Sequence, residues 1–258
     1  MVGLEEVCGS ALMTPRECFK IRGKLSNYSF CMQWILPFIV PFSAFIGGPR
    51  NNRDWDRNKH ISAEMRDAGS FLLKHMGTLV RLGAPIWPLQ ACTVYDRFMR
   101  RALPEPLQSQ ISVLTHDASE SGISMVHHES PDVILHSGGK RFADITTAAI
   151  FAEQLDAQVP REALGGWINF DIYRRRRNVS GRYIIVRNDC QSGLYGLHKG
   201  SLSPIIQFAA ISIAKASIET GVSHCFCTCP GNVSSKKGQT TAAGNTLRRS
   251  GDQHAGRR

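Results

Sequence analysis

The sequence predicts an α/β chain in which a mixed five-stranded sheet with helical crossovers follows a mainly helical region. Three observations carry that expectation. Short β-rich runs alternate with stretches of helical spacing between residues 109 and 231. One of those runs, Tyr183 to Val186, is apolar without interruption, as a central strand covered on both faces should be. Residues 1–108 read instead as apolar helical pieces broken by prolines and glycines. The closing stretch, 232–258, is Ser, Gly, Thr, Asn, Lys and Arg with Leu247 almost its only large apolar side chain, and it is expected to be a disordered basic tail.

The elements of the sheet region follow in order. Ile111 to His116 is a β-rich run ending at Asp117, Ser119 to Gly122 supplies a turn, and Ile123 to His127 is the returning strand of a hairpin. Val133 to Leu135 suggests a third strand, with Ser137-Gly138-Gly139 as its turn. A helix is expected to start near Pro160, a favoured first helical residue. Leu164, Trp167, Ile168 and Ile172 continue it at helical spacing, and Arg174 to Arg177 close it where the helix dipole favours positive charge. After the Tyr183–Val186 strand, a helix over Gln191 to Lys199 stops at Gly200. Ser203-Pro204 then opens another, with Ile206, Ala209, Ala210, Ile213 and Ala216 on one face and Gly221 as its stop. Val222 to Cys229 reads as the last strand.

Bulk properties narrow the partners. The chain has 258 residues, a hydrophobic fraction of 42% and a net charge of +10, with a pI near 9.4. It is long enough for a real core, and its positive balance fits a polyanion such as nucleic acid. The eight cysteines are scattered, and Glu5 and Glu6 sit where a secretory leader would be basic, so free thiols in a reducing intracellular compartment are expected. Phe30 to Ile46 imitates a membrane span, but it is short and holds Pro37, Pro41, Gln33 and Ser43, so a buried core segment is expected rather than a membrane anchor.

Three carboxylates stand out by their setting. Asp117 ends the first strand, Glu162 lies in the first turn of the long helix, and Asp189 follows the fourth strand. Carboxylates at strand ends beside a helix N-terminus converge on one edge of such a sheet, and oxygen-only donors suit Mg²⁺ or Mn²⁺. Two such ions about 4 Å apart serve phosphodiester cleavage. Taken singly, strand-end aspartates and first-turn glutamates also have purely structural uses. Gly165 and Gly166 lie on the helical face of Glu162, where missing side chains would let the helix approach the sheet.

The stretch Thr115-His116-Asp117-Ala118-Ser119 through Gly122 resembles the opening strand of RNase H domains in retroelement reverse transcriptases. Arg161-Glu162-Ala163-Leu164 is similar to their first helix start, and Val186 to Leu194 with Leu197 to Gly200 and Ser203-Pro204 is similar to the segment that follows. Cys229-Pro230-Gly231-Asn232 sits where the last strand of those domains ends. Upstream, Thr14 to Glu17, Arg22 to Leu25, Ile61 to Met65 and Gly83 to Pro88 resemble the segment after the polymerase palm and the connection that precedes RNase H. The versions closest in character are those of DIRS-like and related protist elements.

That resemblance implies a thumb- or connection-like region over 1–108 and an RNase H-like domain over 109–231. It implies Asp117, Glu162 and Asp189 as catalytic, metal-binding carboxylates for Mg²⁺ or Mn²⁺, acting on RNA in RNA–DNA hybrids. It also implies a fourth aspartate shortly after the Pro-Gly; Val233 to Ser250 holds no carboxylate, and Asp252 is the late candidate. No polymerase activity is expected. The alternative is a catalytically dead reverse-transcriptase relic that at most binds nucleic acid.

Arg174, Arg175, Arg187 and Lys199 are the candidate phosphate contacts, against the alternative that they are solvated helix ends. His224 with Cys225, Cys227 and Cys229 has alternating strand spacing and is read as buried thiols rather than a zinc site. His127 and His128 point to opposite faces of one strand and are read as structural.

Overall fold

The computed structural model describes residues 2–47, 52–82 and 88–228. Its α-helices are α1 (Val2–Gly9), α2 (Pro15–Ser29), α3 (Leu36–Ile46), α4 (Ala63–Leu82), α5 (Pro88–Met99), α6 (Glu105–Gln108), α7 (Thr146–Ile150), α8 (Gln158–Arg176), α9 (Gln191–Lys199) and α10 (Pro204–Thr220). Strands β1 (Leu12–Met13) and β2 (Lys59–His60) form a small antiparallel ribbon. Strands β3 (Ile111–Ala118), β4 (Gly122–Ser130), β5 (Val133–Arg141), β6 (Tyr183–Arg187) and β7 (Ser223–Cys227) form a mixed five-stranded sheet in the order β5-β4-β3-β6-β7. The β3–β4 and β4–β5 pairs are antiparallel, whereas β3–β6 and β6–β7 are parallel and need the helical crossovers.

The N-terminal helices build their own core. Thr14 opens α2 with a reciprocal capping box: its hydroxyl accepts the Glu17 N–H at 3.2 Å, and the Glu17 carboxylate accepts the Thr14 N–H at 2.9 Å. The apolar stretch that imitates a span folds as a 3₁₀ turn and α3, and Phe38 and Phe42 are fully buried among Cys18, Leu25, Met65 and Leu72. Among the described residues no single helix is long and apolar enough to cross a membrane; α9 and α10 reach that length only together, across a 61° bend.

Both faces of the inner sheet are covered. Leu114, Ile184, Val186 and Phe226 pack under α8 and α10, while Val113, Ile185, Cys225 and Cys227 pack under Ala91 and Phe98 of α5. Helix α10 is buried on two sides: Ile206, Ala209, Ile213 and Ala216 join the sheet core, and Ala214 and Ile218 join the core of α2, α3 and α4. Gln207 adds a 2.8 Å bond from its Nε2 to the Pro37 carbonyl.

Some expectations need correction. Ser137-Gly138-Gly139 is not a turn but the middle of β5, because Gly139 lies so close to β4 that a Cβ there would sit 3.0 Å from the Ile123 carbonyl oxygen. Strand β5 instead runs on to Arg141 and ends in a 3₁₀ turn at Phe142–Asp144. Helix α8 starts at Gln158, ahead of Pro160, and Arg161 reaches back to the carbonyls of Leu155 and Asp156 at 2.9 and 3.2 Å to hold that turn. The last strand is shorter than expected, Ser223–Cys227; Cys229 and the tail lie outside the described residues. Cys225 and Cys227 are buried thiols, with the Cys227 Sγ 3.1 Å from that of Cys92 on α5. His224 faces the other way, against Ser217 and Trp34.

Candidate metal centre

The parallel pairing of β3 with β6 ends at Thr115 opposite Arg187. Asp117 and Asp189 each lie two residues beyond that pair, so the register carries both to the same end of the sheet. Glu162 arrives from the early turns of α8, whose packing on β3 brings it over the same point. One ligand atom from each of Asp117, Glu162 and Asp189 lies within 4.8 Å of the other two. Among the described residues no other His, Cys, Asp or Glu joins this group, and Asp252 is outside them.

The close approach of α8 depends on its glycines. A Cβ on Gly165 would lie 3.1 Å from Ile123 and 3.2 Å from the His116 ring, and one on Gly166 would lie 2.7 Å from Leu197 and 3.2 Å from the same ring. The His116 ring therefore occupies the notch that the two glycines leave. From there its Nε2–H donates to the Glu162 carbonyl at 3.0 Å, which fixes the rotation of the helix. Burial lowers the His116 pKa to about 4, so the ring is neutral near pH 7.

Glu162 is 1% exposed, while Asp117 and Asp189 are exposed. Its carboxylate accepts the Ala118 N–H at 3.2 Å, the Asn188 Nδ2 at 2.7 Å and the side-chain amide of Gln158. Burial pushes its pKa up to about 7, the charges of Asp117 and Asp189 push the same way, and the bonds from Asn188 and Ala118 oppose them. A buried carboxyl beside two others is poised to release a proton when a cation arrives. Three oxygen donors at this spacing can hold a hard divalent cation.

The expected cations are placed differently from the carboxylates. Arg174 and Arg175 sit at the far end of α8, roughly 18 Å from Glu162 at the usual helical rise. Both are paired with Asp171, at 2.6 and 2.8 Å, and Arg174 also lies over the Trp167 ring. Arg187 is on β6 close to Asp189 in sequence, with its guanidinium 5.1 Å from the centre of the Tyr95 ring. Lys199 ends α9 and donates to the Tyr195 hydroxyl at 2.7 Å.

Sequence reasoning passed over Gln158, His116 and Asn188, which hold Glu162. Gln158 stands four residues before Glu162, the spacing of helical neighbours, and that signal was available. Asn188 beside an aspartate reads only as a turn former.

Fold and site together define an α/β chain with a three-carboxylate centre open to a divalent cation. No family model, curated protein or solved structure matches the chain.

Proposed function

We propose that this chain is a retroelement-derived, RNase H-like protein that cleaves RNA in RNA–DNA hybrids with Mg²⁺ or Mn²⁺. The observation that carries the reading is the convergence of Asp117, Glu162 and Asp189 within 4.8 Å, from two strand ends and a helix that the sequence keeps far apart. These are the three carboxylates that the resemblance implies as metal ligands, and a mixed five-stranded sheet with helical crossovers is the architecture expected with it. The helical region over 1–108 stands, in this reading, for the connection that precedes such a domain.

Asp117, Glu162 and Asp189 would hold the cations, and the donor chemistry fits, since all the ligands are hard oxygens. Divalent ions bound there supply an activated water and a stabilised leaving oxygen for phosphodiester hydrolysis. The residues of the chain do the positioning: Gln158, Asn188 and the Ala118 N–H aim Glu162, and His116 fixes α8. A hybrid would be recognised by groove shape and 2′-hydroxyls rather than base edges. Arg187 on β6 and Lys199 at the end of α9 are proposed phosphate contacts, together with Arg174 and Arg175 at the far end of α8.

A second reading is favoured by one observation: among the described residues no fourth carboxylate joins the three. In it the chain is a relic that binds hybrids without cutting them. Hydrolysis of a labelled RNA–DNA hybrid in Mg²⁺ or Mn²⁺, wild type against Asp117→Asn, separates the two. Metal-dependent cleavage lost in the variant supports the nuclease; folded wild type that binds the hybrid in a salt-sensitive way and leaves it intact supports the relic.

A further inference from the structure

Asn188 is 2% exposed, and its side-chain amide touches the support of every carboxylate in the centre. Its Nδ2 donates to the Glu162 carboxylate at 2.7 Å and to the His116 carbonyl at 2.9 Å. That carbonyl belongs to the peptide that joins His116 to Asp117. Its Oδ1 accepts the Cys190 N–H, the peptide that leaves Asp189. The Asn188 backbone N–H donates to the Cys227 carbonyl at 3.3 Å, which ties the same residue to β7.

We propose that Asn188 is a positioning residue that sets all three carboxylates at once. It grips Glu162 directly, Asp117 through the preceding peptide and Asp189 through the following one. This rests on the reading of the three carboxylates as a metal centre. The chemistry demands an amide at this position: two donors and one acceptor are used, and each meets a group of the opposite kind. An aspartate of the same shape would keep the acceptor, lose both donors and set a further negative charge against Glu162. An alanine would lose all three bonds and leave the Glu162 carboxylate held by the Ala118 N–H and Gln158 alone.

A role confined to joining strands predicts something else, namely lower stability of the metal-free fold with no change in the metal affinity of the folded protein. Titration of the full chain with Mn²⁺ alone at pH 8, by calorimetry or by the Mn²⁺ paramagnetic signal, separates the two. Asn188→Ala is expected to weaken Mn²⁺ binding about 10- to 100-fold, the range for residues that orient metal ligands. Asn188→Asp is expected to weaken it as well, despite its added charge. In a Glu162→Gln background the same alanine change should cost less than in wild type, because the grip on the Glu162 carboxylate is already gone, and the remaining cost should come through Asp117 and Asp189. Asn188→Ser replaces the alanine variant if the latter does not fold. Folded Asn188 variants that bind Mn²⁺ within twofold of wild type, or penalties that simply add, overturn the proposal alone. Wild type that binds no Mn²⁺ overturns the metal centre and this proposal with it.

Discussion

Near its start, α8 presents Glu162 to Asp117 and Asp189. Further along, the same helix presents Asn169 and Tyr173 to the other end of the sheet. There the Tyr173 hydroxyl meets the Ser112 hydroxyl at 2.7 Å, and Arg182 donates to both at 3.3 and 3.0 Å and reaches Glu129 at 3.3 Å. Asn169 donates to the Thr115 carbonyl at 3.2 Å and accepts from His127. In this second cluster donors meet acceptors and a cation meets an anion, so burial is compensated within the chain. In the first cluster three carboxyl groups share a site, and burial, with the charges of Asp117 and Asp189 adding to it, holds the Glu162 carboxyl near pKa 7. The contrast separates a polar cluster in which opposite groups answer one another from one that gathers three carboxylates and could hold a cation.

The largest expected effect tests the first cluster directly. Asp117→Asn should reduce metal-dependent hybrid cleavage at least about 100-fold while leaving the melting temperature within about 2 °C, as for an exposed side chain. A variant that melts much earlier would place Asp117 among the fold-specifying groups and erase the contrast. Acid should then strike both clusters. His116 and His127 are held at about pKa 4 by burial, as is His198, and His224 lies well below its usual value for the same reason. The unfolded chain takes up protons below pH 6.5 and the folded one does not, so this stability is complete above pH 6.5 and is lost towards pH 4. Calorimetry from pH 7.5 to 4.5 should show a fall of roughly 10 °C in melting temperature; a flat profile would mean the histidines are not buried neutral.

Tyr173→Phe sharpens the contrast from the other side. Loss of the hydroxyl leaves the Ser112 and Arg182 groups short of a partner, at about 1–2 kcal/mol, read as a lower denaturation midpoint with Mn²⁺ affinity unchanged. The smallest effect is the pH signature of Glu162. Its pKa is raised in the folded state, so its contribution to stability is full below about 4.5 and is lost as pH rises through about 7. Relative to Glu162→Gln, the metal-free wild type should therefore lose a few degrees of melting temperature between pH 5 and 8. Mn²⁺ should bind more tightly across the same rise, with release of a proton. An identical pH dependence in the two proteins would show that Glu162 is an ordinary solvated carboxylate.

The strands that the sequence made legible are those where apolar character decides the outcome, such as Ile111–Ala118 and Tyr183–Arg187. Gly200 and Gly221 marked helix ends correctly because φ there is +79° and +68°, where a side chain is disfavoured. Gly138 and Gly139 misled for the reason that glycine serves two purposes: it permits a turn, and it also permits a neighbouring strand to come close. The Thr14 to Glu17 match has a local cause, the capping box, independent of any family. At the site Asp117 and Asp189 were legible as carboxylates at strand ends, whereas Glu162, expected in the first turn of its helix, lies one turn further in because α8 already starts at Gln158. Asn188 was not legible, because its role depends on a crossover that brings β3, α8 and the end of β6 to one side-chain amide, and spacing along a chain carries no trace of that.

The two-sided burial of α10 has a consequence for anyone who would divide this chain. The helical region and the sheet share that helix as a party wall, with Ile213 and Ala216 turned to one room and Ala214 and Ile218 to the other. Trp34 against His224 and Gln207 against Pro37 bolt the wall in place. A fragment starting near residue 109 would keep the sheet and the carboxylates but turn a bare apolar wall to solvent, the kind of surface that drives self-association. The carboxylate centre is thus best studied with its helical neighbour attached, and the two regions should melt in a single transition.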